Sequence, residues 1–178
     1  MPELMQGRAS TVTDLGDGTV LRVGGRPERE AAIMALALSH GYPVPRVYEV
    51  GPDRLVMERI EGTTMSRHLA RHPWLARRHV RTLASLHERL HTIPFDGATL
   101  VHFDLHPDNV MVSGSGPVVI DWTNAHGGDP QADVALTWII LATSSGLPGR
   151  LLARLFRVPT SSVRGWMGPG RFAWPTRT

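Results

Sequence analysis

The chain contains no cysteine and no lysine. Without cysteine there is no disulfide framework, no thiolate nucleophile and no cysteine-built zinc site. All 19 basic side chains are therefore arginine, a planar cation that stays charged and grips carboxylates and phosphates through a rigid fork. Carboxylates are missing from one region. None follows Asp133, whereas Arg150, Arg154, Arg157, Arg164, Arg171 and Arg177 all do. A basic end of this kind suits a polyanion, but it carries no recognisable nucleic-acid module and its aromatics are scattered. No nucleic-acid partner is expected. Long apolar runs are also lacking. The longest, "VALTWIILATSSGL", is too short and too polar to cross a bilayer, and "MPELMQGRAS" has neither the basic nor the apolar region of a secretory signal. No membrane partner and a cytoplasmic location are the expectations.

The chain has 178 residues, enough for one domain or two small lobes sharing an interface. "ASTVTDL" and "TVLRVG" alternate as strands around Gly16-Asp17-Gly18, a hairpin turn signal. "RPEREAAIMALALSHG" reads as a helix: Pro27 suits its first turn, Glu28 and Glu30 its positive dipole end, and Gly41 its C-terminal cap. Two strands, "PRVYEV" and "RLVMERI", flank Gly51-Pro52, and two helices follow in "MSRHLARH" and "WLARRHVRTLASLHERLHTI". A hairpin turning at Gly114-Ser115-Gly116, a helix over about 130–143 and a short amphipathic piece, "GRLLARLFRV", complete the regular elements. The last twenty residues have no period. They are expected to form an irregular basic tail.

One stretch is too polar for its surroundings. In "LVHFDLHPDNV", His102, Asp104, His106 and Asp108 fall on alternate residues and run into Asn109 between apolar patches. A core rejects such groups unless each finds a partner. Individually, Asp104 and Asp108 are ordinary turn residues and Asn109 an ordinary cap. The hairpin that follows changes the reading, because it returns the chain to Asp121 at the end of "PVVID". The outer ends of antiparallel strands meet, so Asn109 and Asp121 should be neighbours. An amide oxygen and a carboxylate are hard ligands suited to a Mg²⁺ shared with phosphate oxygens. Asp104 can then accept or orient the proton of an attacking hydroxyl.

The spacing H-x-D-x-x-x-x-N, the later I-D-W and the wording "LHPDNV…IDWTNAHGGDPQADVA" resemble the aminoglycoside phosphotransferase and choline kinase-like family of the protein-kinase-like fold. The resemblance spans roughly residues 5–145. It implies an α+β, two-lobe architecture: a small β-rich nucleotide-binding lobe over 1–61, an abbreviated, mainly helical catalytic lobe over 62–158, and the tail over 159–178. Asp104 would be the catalytic base, and Asn109 and Asp121 the Mg²⁺ ligands. His102 and Asp133 would support the catalytic loop. "QGRAST" is similar to the family's nucleotide-covering loop, through Gly7, Arg8 and Ser10, although an ordinary hairpin fits it equally. Arg22 stands where many relatives carry a lysine, with Glu30 as its partner. Met57, with backbone groups of Glu58 and Ile60, would meet the base of ATP or GTP.

The remaining histidines, His40, His68, His72, His79, His87 and His91, are read as surface or core residues rather than ligands. His106 is read as a structural hydrogen-bonding group, and Trp122 as packing beneath the metal loop. The expected activity is Mg²⁺-dependent transfer of the γ-phosphoryl of ATP or GTP to a hydroxyl of a small molecule. A polycationic aminoglycoside is disfavoured, because no carboxylate follows Asp133 to line its pocket. Two other classes stay open: a nucleotide-binding pseudoenzyme whose divergent C-terminal end leaves the acceptor site incomplete, motivated by Arg22, the thin glycine loop and the shortened second lobe, and a metal-dependent hydrolase. The hydrolase fits poorly, since an amide is a poor zinc-type ligand. Acceptor identity and oligomeric state are left open.

Overall fold

The computed structural model describes the backbone of residues 3–6, all of residues 11–143, and residues 152, 153 and 155. The predicted tail and the greater part of "GRLLARLFRV" lie outside these residues. The first sheet has five strands: β1 (Glu3–Gln6), β2 (Thr11–Asp14), β3 (Thr19–Val23), β4 (Val47–Val50) and β5 (Arg54–Glu58). Their order is β1-β2-β3-β5-β4, antiparallel throughout. The β2–β3 turn is held by side chains that satisfy its backbone. Gly16 N–H donates to Asp14 Oδ1 at 2.9 Å and Thr19 N–H to Asp17 Oδ1 at 3.0 Å, the local aspartate bonds that make this residue a turn former.

Helix α1 (Pro27–Ser39) crosses this sheet and buries Glu30, Ala31, Ile33, Met34 and Ala37. Its end is closed as the sequence suggests. Gly41, at φ +69°, donates to Leu38 O at 2.8 Å, and Tyr42 N–H reaches Ala37 O at 3.0 Å, the paired bonds of a Schellman motif.

A short strand, β6 (Gly62–Thr64), leads into α2 (Met65–Arg71), a single 3₁₀ turn at Pro73–Leu75, and α3 (Ala76–Leu90). Residues Val80, Leu83, Leu86, His87 and Leu90 of α3 are buried, a stripe at helical spacing. Next come β7 (Pro94–Phe95) and β8 (Ala98–Val101), then β9 (Val110–Ser113) and β10 (Gly116–Val119), β11 (His126–Gly128) and α4 (Pro130–Thr143). These strands form two three-stranded sheets, β10-β9-β6 and β11-β8-β7. One core joins Ile33, Met34 and Tyr42 of the first part to Leu83, Leu90, Leu100, Leu105, Val119 and Trp122 of the second.

Strands β1, β6, β7, β8 and β11 are absent from the sequence-based expectation. All five are two to four residues long, and β11 is His-Gly-Gly, so none shows an alternating pattern. The β7–β8 turn did carry a signal. Asp96-Gly97 is a two-residue hairpin dipeptide with φ of +47° and +76°, both in the left-handed region such turns require.

Gly62 shows how closely β6 approaches β9. A Cβ there would lie 2.3 Å from the Val112 carbonyl oxygen, and its φ is +153°. Gly62→Ala should destabilise the protein by about 2–3 kcal/mol through strain at this backbone position, read as a lowered urea midpoint at unchanged m-value.

Candidate active site

The loop between β8 and β9 is fixed by one buried carboxylate. Asp133, in the first turn of α4, is fully buried. Its Oδ1 accepts Phe103 N–H at 2.8 Å, and its Oδ2 accepts His102 N–H at 3.3 Å and His91 Nε2–H at 2.9 Å. His87 Nδ1 stands 3.4 Å from the same oxygen. Burial alone would raise the Asp133 pKa. Hydrogen bonds from His87, His91 and the Phe103 amide more than reverse this and hold it well below the usual carboxylate range. Phe103 adopts φ +58°, a conformation a bulky residue keeps only when its surroundings impose it. His102, also buried, packs edge-on against Trp122 with ring centroids 5.0 Å apart. Desolvation pushes its pKa down to about 4, so it is neutral at pH 7.

Directly after this brace, the loop presents Asp104. Asn109 Nδ2 donates to the Asp104 carbonyl at 2.9 Å and to its Oδ2 at 3.0 Å. The Asn109 amide nitrogen is thereby turned toward Asp104 and its oxygen is the end left for another partner. His106 Nε2 lies 3.4 Å from Asp104 Oδ1 and 3.3 Å from Asn109 Nδ2. Burial raises the Asp104 pKa, and the Asp121 charge adds to this against the opposing influence of His106 and Asn109. The neighbouring Asp108 accepts a hydrogen bond from the Ser66 hydroxyl of α2.

The hairpin brings Asp121 to this loop. Strands β9 and β10 pair from Ser113↔Gly116 to Val110↔Val119, and the ladder continues as Ile120 N–H donates to Asn109 O at 3.0 Å. One residue on, Asp121 sits at φ +60° and ψ +71°. Its Oδ1 accepts the Thr123 hydroxyl at 2.6 Å and lies 3.6 Å from Arg22 Nη2. Arg22 also donates to Thr123 Oγ1 at 2.6 Å and forms an ion pair with Glu30 of α1. Arg22 and Glu30 are both buried. Desolvation raises the Glu30 pKa, with the Arg22 charge acting against it. Two polar groups thus meet at the end of the hairpin, Glu30–Arg22–Thr123–Asp121 on one side and Asn109–Asp104–His106 on the other, joined through the Ile120–Asn109 backbone bond.

The base-binding expectation is placed as follows. Met57 is partly buried against the core. The Glu58 N–H is committed to Arg46 O at 2.8 Å, which leaves only its carbonyl for a ligand. Ile60 follows the end of β5 and is partly buried. Gly7, Arg8 and Ser10 lie outside the described residues.

Three features escaped the sequence reading. Thr123 links Arg22 to Asp121, and its place two residues after the aspartate was the available signal. His87 and His91 stand four residues apart on α3 and are core residues as read, but their rings also converge on Asp133. His68 and His72 have the same spacing, and His68 Nδ1 meets His79 Nε2 at 2.9 Å.

A family model described as "Phosphotransferase enzyme family" matches residues 96–169. The solved structure of an aminoglycoside phosphotransferase APH(2″)-IIa with streptomycin and ATP superposes with a TM-score of 0.60, at 16% identity over 92% of this chain and 81% of that one. The ADP-bound APH(2″)-Ib gives 0.62, at 16% identity over 90% and 78%. A choline/ethanolamine kinase family protein from Mesorhizobium loti gives 0.60, at 18% identity over 86% and 68%. This is the protein-kinase-like fold of the aminoglycoside phosphotransferases and choline kinases. The resemblance carried by "LVHFDLHPDNV" therefore extends to an α+β architecture shared over most of the chain. Among curated proteins, the chain is 29% identical to the EKC/KEOPS complex subunit BUD32 of Encephalitozoon cuniculi over 70% of its length. It is 27% identical over 64% to a probable bifunctional tRNA threonylcarbamoyladenosine biosynthesis protein of Methanoculleus marisnigri. It spans 59% and 23% of these two proteins. Among the described residues no helix is long and apolar enough to cross a membrane.

Replacing Asp133 tests the brace. Asp133→Asn should cost about 3 kcal/mol at pH 7, the range for breaking a buried charged network. A depressed folded pKa gives stability that is complete above the unfolded value of about 3.9 and is lost as pH falls toward the folded value. Urea midpoints of wild type and variant should therefore converge below about pH 4.

Proposed function

We propose that this phosphotransferase-like chain moves the γ-phosphoryl group of ATP or GTP to a hydroxyl of a small molecule. The observation that carries this reading is the convergence of Asp104, Asn109 and Asp121 at the mouth of the β9–β10 hairpin, reached from the other side by Arg22. The donor set suits Mg²⁺. The Asn109 amide is oriented with its oxygen away from Asp104, and Asp121 offers a half-exposed carboxylate in a left-handed backbone position. Both are hard oxygen ligands. When bound, the cation would neutralise charge on the phosphate oxygens.

The chain's own residues divide the rest of the work. Asp104 receives the hydroxyl proton as the acceptor oxygen bonds to phosphorus and the bond to the nucleoside diphosphate breaks. Asn109 keeps the Asp104 carboxylate in place, and Asp133 keeps the backbone beneath it in place. Arg22, fixed by Glu30, supplies permanent positive charge toward the phosphates. In this reading residues 1–61 hold the nucleotide, with Met57, Glu58 and Ile60 at the base, and residues 62–158 carry the metal and acceptor groups. The absence of carboxylates after Asp133 argues for a neutral or anionic acceptor over a polycationic aminoglycoside.

A second reading is a pseudoenzyme that binds Mg-nucleotide without transfer. It draws on Arg22, whose guanidinium is engaged with Thr123 and Asp121. One experiment separates the two. Saturating Mg-ATP or Mg-GTP should raise the melting temperature of the wild type by about 5–10 °C, and Asp121→Ala should remove the shift. An unchanged shift in that variant would sink the metal assignment. Asp104→Asn should keep the nucleotide shift while lowering turnover in a coupled acceptor screen by at least about 100-fold. A wild type that binds nucleotide yet turns over no hydroxyl compound would favour the pseudoenzyme.

A further inference from the structure

Residues 62–87 contain no carboxylate, yet they contain Arg67, Arg71, Arg77, Arg78 and Arg81. All five arginines are exposed on α2 and α3. None has a side-chain hydrogen bond or ion pair among the described residues. Two other arginines are neutralised, Arg54 by Glu49 at 2.9 Å and Arg59 by Asp14 at 3.0 Å, and exposed Arg29 and Arg89 at least reach a backbone carbonyl. The sequence beyond Asp133 has no carboxylate side chain that could fold back to do the same. The two helices meet at the His68–His79 contact, so the arginines belong to one two-helix layer. Between these helices, on the 3₁₀ turn, stands Trp74, 73% exposed and the most exposed of the large hydrophobic side chains among the described residues.

We propose that the α2–α3 layer, with Trp74 and the five arginines that have no partner among the described residues, is a binding surface for single-stranded nucleic acid. Exposed guanidinium groups on a stretch of sequence without carboxylates suit a phosphate backbone. A solitary projecting indole beside them suits the face of an unpaired base. A lipid surface fits less well. The apolar residues of both helices, Met65, Leu69, Val80, Leu83 and Leu86, are buried in the core, leaving no apolar face to enter a bilayer. This surface differs from the basic C-terminal end, whose composition led to no nucleic-acid expectation. It adjoins the candidate site, because Arg67 follows Ser66, whose hydroxyl donates to Asp108.

The test is fluorescence anisotropy with a labelled single-stranded RNA of about 15 nucleotides, the matching duplex, inorganic polyphosphate, polyglutamate and anionic vesicles. The full chain should bind the single strand with an affinity that falls steeply with salt. A combined Arg67→Gln, Arg71→Gln, Arg78→Gln variant should lose at least about tenfold. Trp74→Ala should weaken RNA by about tenfold and leave polyphosphate unchanged. All substituted side chains are exposed, and unaltered melting temperatures will confirm that the variants are folded. The proposal is overturned if RNA does not bind, or if both variants bind it as wild type does. Equal loss of polyphosphate binding in Trp74→Ala overturns it too, as does preference for duplex, vesicles or polyglutamate. None of these outcomes depends on phosphoryl transfer.

Discussion

Everything at the candidate site rests on a single buried carboxylate receiving more hydrogen bonds than its burial would predict it could keep. Asp133 is enclosed in the core, where an unpaired charge would be untenable. Two histidines from α3 and two backbone amides from the loop between β8 and β9 make it tenable. The same bonds act in the opposite direction. They impose a left-handed turn at Phe103 and so set the direction in which the next residue, Asp104, leaves the core. Folding energy and site geometry are here one set of contacts.

The hairpin adds the second constraint. Its two-residue turn fixes the register of β9 against β10, and side chains on antiparallel strands have no freedom to slip by one position without reversing faces. Hence the proximity of Asn109 and Asp121 could be read from spacing alone: a strand, a Gly-Ser turn and a returning strand leave little choice. The helices α1, α3 and α4 were readable for a similar reason, since their caps and apolar spacing are local properties of the chain. The long-range contacts were not. That Arg22 reaches Thr123, 101 positions away, is decided by how α1 packs on the first sheet, and no local pattern encodes it.

The missed strands fall into the same class. β6 and β11 pair through backbones that carry glycine, and β7 is two residues long, so their side chains supply no periodic signal. Their partners exist only after the chain has folded. The histidines of α3 show a different failure. Their four-residue spacing was visible, but its meaning depended on Asp133 arriving from another helix, 42 residues further on.

Arginine at position 22 has a chemical consequence beyond the ion pair it makes. Its guanidinium is charged at every pH a protein survives, and the chain has no lysine at all. The chain therefore offers no side-chain amine to acylation, carbamylation or Schiff-base formation. Reagents that work by capturing a side-chain amine would leave the surroundings of Arg22 unmodified.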